Sequence, residues 1–355
     1  MASERGRTGH PTRAGIVDVA RHAGVSVATV SRALRGMPNV SQITRARVLR
    51  SAAELQYTAS PLASGLVTGR VRSVGVVLPY ASRWFFAEVI GGIEEALRDH
   101  GYDLVLHVLA DERRRRDFFG SLPVRRRVDA LLVVGLPLDD RESDVLRGLG
   151  IPLACVAEPV PGLHGERVDN VAVGRLAVQH LLNLGHRRIA CVGGDMAGQE
   201  RYNLPGLRTR GYRQALDRAG IDPRPEWERD GGFSAHGGES AMASLLSSVD
   251  PPTAVFCQSD EMAFGAFRAL RHSGLLCPRD VSVVGVDGHE LAEVFDLTTV
   301  AQPVADQGAA AARWLVERLD GQPAPGEADR IPEDVSLHPV RLVLRGSTGP
   351  APDRR

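Results

Sequence analysis

Apolar positions recur along this chain with two different periods, and the change between them divides it. Val19, Ala20 and Ala23 fall on one face of a short helical pattern that begins near Val17. Gly24 then supplies the left-handed residue that a tight turn between two helices requires. Ser26 suits the cap of a second helix, on which Val30 and Leu34 lie four apart and pack inward. Val27, Ala28, Ser31 and Arg32 point elsewhere. Gly36-Met37-Pro38-Asn39 breaks the chain, and Ser41 caps a third helix. On that helix Ile43, Ala46, Ala53 and Leu55 are expected to supply the apolar contacts, leaving Arg45, Arg47 and Arg50 wet. Three short helices within about 45 residues, with a glycine turn between the first two, fit a helix-turn-helix head over 15–59. Patterning alone also admits a plain three-helix cap with a charged surface.

From Ser73 the period shortens. Ser73–Pro79 reads as a buried parallel strand, and Leu104–Val108, Ala130–Val134 and Leu153–Val156 read as further strands. The first is followed by a helix with Phe86, Val89, Ile90, Ile93 and Leu97 on one face, closed by Gly101. The second half repeats the alternation. Helices over Val173–Leu184, Thr209–Ala219 and Glu261–His272 interleave with strands at Ile189–Val192, Ala254–Cys257 and Val281–Val286. Strands alternating with helices predict parallel sheets covered on both faces, with a ligand crevice at the strand ends. The expected fold is therefore a small all-α head joined to an α/β body of two doubly wound parallel-sheet lobes.

Charge sharpens the division. Residues 1–72 carry eleven Arg against Glu4, Asp18 and Glu54, a net +8, so the remainder of this net-neutral chain sums to −8. A basic head on an acidic body implies a polyanion partner at one end only. Every basic residue is Arg, which excludes Schiff-base chemistry, Ser-Lys catalysis and a Lys-bearing phosphate loop. Cys155, Cys191, Cys257 and Cys277 are far apart and form no C-x-x-C pair, so they read as free thiols. No apolar run reaches the roughly 18 residues of a membrane span, and the first fifteen residues lack the apolar middle of a signal peptide. A cytoplasmic location and no membrane partner are expected.

The string from Val17 through Arg32, Val-Asp-Val-Ala-Arg-His-Ala-Gly-Val-Ser-Val-Ala-Thr-Val-Ser-Arg, closely resembles the DNA-binding signature of the LacI/GalR family of regulators. Val40-Ser41, Thr44-Arg45 and Leu55-x-Tyr57 continue the match. The resemblance implies that the second helix enters the major groove of duplex DNA. Ser26, Thr29 and Ser31 would hydrogen-bond phosphates, and Arg32 is the side chain there able to fork onto guanine. Val27 and Ala28, at the family's reading positions, could sense thymine methyls or shape only. Asn39 and Tyr57 complete the head's candidate DNA residues. The family's minor-groove hinge aligns with Ser60–Leu66, where Ala63 and Leu66 match and Leu66 would be the wedge. Ala59-Ser60, Ser64 and Gly65 depart from that pattern, and Gly65 costs a helix about 1 kcal/mol against Ala.

The body is similar to the periplasmic-binding-protein-like sensor of the same family. The match runs through Phe85-Phe86-x-Glu88, Gly92-Ile93-Glu94, Val168-Asp169-Asn170, Leu184–Ile189, Asp260–Ala266, Val281–Asp287, Leu297–Val300 and Leu344–Ser347. It implies a tail over 1–14, a linker over 60–72, a sensor over 73–346 and a disordered tail over 347–355. Within the sensor, lobe one would take about 73–172 and 303–333, lobe two about 173–302 and 334–346. By position, the ligand contacts fall on Trp84, Phe85, Arg208, Phe233, Asp260, Asp287 and Gln302. Carboxylates and an Arg opposing aromatic faces suit a polyhydroxylated ligand. Alternatives stay open: Trp84 and Phe85 serve equally as core, Asp260 as a helix N-cap, and Arg201 or Arg210 in place of Arg208. Ala157-Glu158 replaces the family's usual Asp-Arg, and Arg83 its usual Asn, so the ligand differs from the one the commonest sugar-binding pattern holds.

Enzyme readings fail residue by residue. Gly193-Gly194-Asp195-Met196-Ala197-Gly198 is not G-x-G-x-x-G; Gly232-Phe233-Ser234-Ala235-His236 lacks the last glycine of a nucleophile elbow. His289-Glu290-Leu291-Ala292-Glu293 has Glu where a zinc protease needs its second His. A secreted binding protein of the same body fold would have a signal peptide and no DNA head. No catalytic residue, metal or cofactor is expected. The expected partners are a near-palindromic duplex, a small-molecule effector (a sugar or sugar derivative, or else a nucleoside) and a second copy of the chain. The last ten residues hold no leucine heptad, which argues for a dimer over a coiled-coil tetramer.

Overall fold

The head closes through a glycine. The computed structural model describes residues 14–34, 37, 39–57, 70–194, 203–321 and 335–352. Helix α1 (Ile16–Ala23) starts with Asp18 accepting the Gly15 amide at 2.9 Å. It ends at Gly24, whose φ of 63° is left-handed, so that the Val25 amide can return to the Ala20 carbonyl. Ser26 Oγ accepts the Thr29 amide at 3.1 Å to begin α2 (Val27–Leu34). Ser41 does the same through Thr44 for α3 (Gln42–Glu54). Val19, Ala20, Ala23, Val30, Ala33, Val48 and Ala52 form the core of this unit.

One expectation about α3 is overturned. Ile43 is 83% exposed, and Ala46 and Ala53 also face outward; Val48, Ser51 and Ala52 are buried, with Leu55 packed beside them. The two sets lie on opposite sides of a 3.6-residue helix, each with acceptable spacing. Docking against α1 and α2 selects the Val48 side.

Val71 and Arg72 mark the boundary between two compact units of the chain. The second unit opens with β1 (Ser73–Leu78), α4 (Trp84–Asp99), β2 (Asp103–Val108), α5 (Glu112–Ser121), β3 (Ala130–Val134), α6 (Asp140–Arg147), β4 (Leu153–Val156) and β5 (His164–Val168). It continues with α7 (Asn170–Asn183), β6 (Ile189–Gly193), α8 (Asn203–Arg218), β7 (Glu228–Asp230), α9 (Ala235–Leu246), β8 (Ala254–Cys257), α10 (Asp260–His272), β9 (Ser282–Asp287), α11 (Leu291–Val294) and β10 (Thr298–Ala301). Then α12 (Val304–Gly321) returns to the first lobe, and β11 (Val335–His338) and β12 (Arg341–Val343) follow. Two six-stranded sheets result, ordered β11-β5-β4-β3-β1-β2 and β12-β10-β9-β8-β6-β7. Every pairing is parallel except β10 with β12. All six residues of β1 and of β9 are buried, as unbroken apolar runs in covered parallel sheets should be.

Two boundaries differ from the expectation. Residues 334–346 do not go to one lobe: β11 pairs with β5 in the first sheet, and only β12 joins the second. The short alternating segment Val335-Ser-Leu-His338 is an edge strand, which any open sheet edge can accept. Nor is the C-terminal tail loose throughout. Ser347 is 3% exposed, donates from Oγ to the Val283 carbonyl at 2.6 Å and accepts the Thr298 amide at 2.8 Å. The Gly349 amide bonds Ser282, and the Ala351 amide bonds the Leu184 carbonyl. Short hydroxyls that look like loop chemistry in sequence here complete backbone bonds along the second lobe.

Three helix pairs cover the sheets, and each is joined through reciprocal glycines. A Cβ on Gly92 of α4 would sit 2.0 Å from the Ala305 carbonyl oxygen of α12, and one on Gly308 would sit 2.4 Å from that of Val89. Gly174 of α7 and Gly211 of α8 face the Arg208 and Val171 carbonyls, both at 2.2 Å. Gly238 of α9 and Gly265 of α10 meet Met262 and Ala235 at 2.2 and 1.9 Å. Backbone touches backbone in all three, and no side chain fits between. Adjacent residues therefore carry opposite predictions. Gly92→Ala should lower stability by about 1–3 kcal/mol or more through overpacking. Gly91→Ala, which meets nothing within 4 Å, should raise it by up to about 1 kcal/mol. Thermal unfolding of the two single variants beside wild type checks the sign of each.

Candidate functional site

The first candidate surface is the outer face of α2. Ser26, Val27, Ala28 and Arg32 are exposed, Val27 by 41%, while Thr29 and Ser31 are half-buried at the flank. They share this end of the helix because Val30 and Ala33 occupy the inward side. The Ser26 and Thr29 hydroxyls bond each other at 2.9 Å. Arg32 Nε donates to the Ala28 carbonyl at 3.2 Å, and the residue is exposed. Arg45 donates to the Met37 carbonyl at 2.6 Å, tying the segment between α2 and α3. Asn39 is exposed. Tyr57 is half-buried against the head core, its amide bonded to the Ala52 carbonyl. Ala63 and Leu66 lie outside the described residues, as does Arg201.

The second is a cavity of about 460 Å³ between the two sheet lobes. Its walls come from the carboxyl ends of the strands: Tyr80 after β1, Gly135 after β3, Ala157 and Glu158 after β4, Asp230 ending β7, Ser259 after β8, and Asp287 ending β9. Phe85, Phe86, Arg83, Pro205, Arg208, Gly232, Phe233 and Glu261 complete the lining. Three of its non-glycine residues have left-handed backbones, Ala157 at φ 70°, Phe233 at 49° and Asp287 at 122°. Such conformations persist only where surrounding contacts hold them, and they gather at functional sites.

At the floor is a buried charge network. Arg208 Nε donates to Asn170 Oδ1 at 2.9 Å and Nη1 donates to the Gln258 carbonyl. The same Nη1 lies 3.8 Å from Asp287 Oδ1, which accepts from Gln302 Nε2 at 2.7 Å. Gln307 in turn donates to Gln302 Oε1. Burial pushes the Asp287 carboxyl above its ordinary range, against the pull of Arg208; burial likewise lowers the Arg208 guanidinium. Four carboxyls reach the cavity (Glu158, Asp230, Glu261, Asp287) against two guanidiniums. One of these, Arg83, stacks on Tyr80 with its guanidinium carbon 3.9 Å from the ring centre. Burial also raises Glu261.

Phe85, Arg208, Phe233 and Asp287, all expected from sequence, line the cavity together. Trp84, Asp260 and Gln302 do not. Trp84 packs on the first-lobe core and stacks on His289 of the second lobe, ring centres 4.8 Å apart. Asp260 is fully buried. Its Oδ2 accepts the Gly288 and His289 amides at 2.9 and 2.8 Å, and its Oδ1 accepts Thr299 Oγ1 at 2.7 Å. Burial, then the charge of Asp287, raises its carboxyl. It is not the cap of α10 either; Ser259 is, accepting the Met262 amide. Gln302 stands behind Asp287. Helical and strand periodicity place these three one layer away from the space, which a linear pattern does not resolve. Arg83 and Glu158, which replace the family's usual residues, also line the cavity, and Tyr80, Phe86, Asp230 and Glu261 join them without having been expected from the sequence. Their common signal is position, within a few residues of a strand's carboxyl end.

Residues 15–60 match the family described as bacterial regulatory proteins, lacI family, and residues 178–348 match the periplasmic binding protein-like domain. The HTH-type transcriptional repressor CytR of Escherichia coli (strain K12) is 36% identical over 346 residues, 96% of this chain and 98% of that protein. Among solved structures, the lac repressor dimer bound to operator and the anti-inducer ONPF superposes with a TM-score of 0.82 at 28% identity, covering 95% of this chain and all of that one. The transcriptional regulator CelR–cellobiose complex superposes with a TM-score of 0.69 at 31% identity, over 94% and 100%.

The chain belongs to the LacI family. It is a DNA-binding transcriptional repressor with a periplasmic-binding-protein-like effector domain, and among the described residues no helix is long and apolar enough to cross a membrane. Arg32→Ala should weaken binding to the preferred duplex by about 1–3 kcal/mol and relax base preference at one base pair. Selection from random duplexes with wild type and variant checks this; an equal loss on every sequence would reduce Arg32 to a phosphate contact.

Proposed function

We propose that this repressor acts as a homodimer on a near-palindromic operator, and that a neutral sugar or sugar derivative in the cleft sets its operator affinity. Ser26–Arg32 read the major groove, assisted by Asn39 and Tyr57, and Ala63 with Leu66 contact the minor groove. The single observation that carries the ligand class is the lining: a buried Arg208–Asp287 pair and three further carboxyls facing aromatic rings. Hydroxyls donate to carboxylates and accept from a guanidinium, and a ring's apolar face stacks on Phe85 or Phe233. A phosphorylated ligand fits poorly, since Arg208 is already engaged by Asn170, Gln258 and Asp287, and the acids outnumber the cations. The volume suits a compact ligand of one or two rings. Cellobiose in the CelR complex is in keeping with this class.

A nucleoside is the second reading, favoured by one observation: four aromatic rings, Tyr80, Phe85, Phe86 and Phe233, reach the same space and offer base-sized faces. Trp84, Asp260 and Gln302 act behind the first layer, fixing the lobes, the turn after β9 and the Asp287 carboxyl.

Ligand shifts DNA affinity only by its preference between two lobe arrangements, typically about 1–3 kcal/mol. A thermal-shift screen of sugars, sugar phosphates and nucleosides should give stabilisation by a member of one neutral class, lost in Asp287→Ala. Stabilisation by a sugar phosphate alone, surviving in Asp287→Ala, would overturn the reading.

A further inference from the structure

The sensor unit is acidic overall, yet one turn of it is a bare cationic surface. Arg125, Arg126 and Arg127 follow one another between α5 and β3, and all three are exposed. Val124 and Val128 on either side are buried, so the turn is anchored at both ends and the arginines have only the outside to occupy. Its backbone is closed by the Arg125 amide on the Leu122 carbonyl and the Arg127 amide on the Val124 carbonyl, with Arg126 at a left-handed φ of 60°. Together with Ser121, Leu122 and Pro123 they border an open depression of about 480 Å³.

Three of the four arginines of α5 show what paired charge looks like, while the exposed Arg116 has no ion pair among the described residues. Arg113 has Asp117 at 3.9 Å, Arg114 has Asp111 at 3.6 Å, and the largely buried Arg115 has Glu142 at 2.5 Å. Among the described residues no ion pair or side-chain hydrogen bond reaches Arg125, Arg126 or Arg127. Three adjacent like charges repel one another, and an external anion removes that cost.

Position indicates which anion. Asp129, two residues on, donates its amide to the Ser73 carbonyl at 2.7 Å and accepts the Arg72 amide at 2.6 Å. Arg72 is the first residue of the second unit, so the turn stands at the end of the first sheet where the chain enters that unit. Arg72 adds a cation there, while the Asp129 carboxylate is already engaged and Asp103 is exposed.

We propose that Arg125-Arg126-Arg127 is a second DNA contact of this repressor, sequence-independent, gripping backbone phosphates of the duplex outside the bases read by α2. Guanidiniums suit phosphate oxygens through paired N–H donors, and such contacts hold register without reading sequence. The inference rests on the family's DNA binding and not on the effector's identity.

The test uses the full-length chain and a random-sequence duplex of roughly 40 base pairs, about four helical turns. Anisotropy titrations over a range of NaCl give the slope of log affinity against log salt. Each phosphate contact contributes about 0.9 to that slope. The triple variant Arg125→Ala/Arg126→Ala/Arg127→Ala should therefore flatten it by about two to three per protomer, about five for a bound dimer, and weaken binding at 0.1 M salt by about tenfold or more. The matching triple Lys variant should keep most of the slope. Should the triple Ala variant unfold, judged by circular dichroism, the three single Ala variants should each remove about one per protomer, about two for a bound dimer. Equal slopes and affinities for wild type and Ala variants overturn the proposal, whether the turn then serves an acidic protein or water alone. Failure of the wild type to bind duplex at low salt would instead count against DNA binding itself.

Discussion

The structure depends on three places where one helix backbone lies directly against another. Ordinary helix pairs are held 8–10 Å apart by side chains. Here Gly92 and Gly308, Gly174 and Gly211, and Gly238 and Gly265 remove the spacers from both partners at once. Each contact closes one face of a sheet lobe. The α7–α8 contact does more, because the carbonyl that Gly174 admits belongs to Arg208 itself. Helix packing and ligand chemistry are thereby joined in one residue: whatever separates those helices moves the guanidinium that faces Asp287.

Around the cleft the acids divide by what holds them. Asp260 accepts two backbone amides and the Thr299 hydroxyl and is fully buried outside the cavity lining, so it pins the turn after β9. Asp287 keeps an open side. Arg208 and Gln302 occupy part of it, and the rest faces the cavity from a backbone of φ 122° that few residues other than glycine tolerate. Because Asp260 binds the His289 amide and His289 stacks on Trp84, the same carboxyl also steadies the aromatic contact between the lobes. That aromatic contact joins the two lobes beside the cavity.

Much of this was legible from residue order. Gly24 between two apolar stripes, Ser26 and Ser41 at helix starts, and the unbroken runs at Ser73, Ala130, Ala254 and Val281 each rest on local rules of backbone and period. Less legible were α5 and α6, in Glu112–Ser121 and Asp140–Arg147, which carry too few apolar residues to show a stripe and are held by caps at Asp111 and Asp139. Of the seven ligand positions inferred by resemblance, four meet in the cavity. The three that do not are polar or aromatic residues of the right kind, one layer too deep.

By itself the sequence determined the two-part organisation, the helix-turn-helix head, the two alternating lobes and the family, because periodicity, capping and signature spacing are properties of neighbouring residues. Only the tertiary structure decided which apolar face of α3 is inside, that residues 335–343 divide between the two sheets, and that Ser347 is buried rather than loose. It also decided which carboxylates line the cavity. These are questions of which surface meets which, answered by hydrogen bonds and contacts between residues as far apart as Asp260 and Thr299, and no local pattern records them.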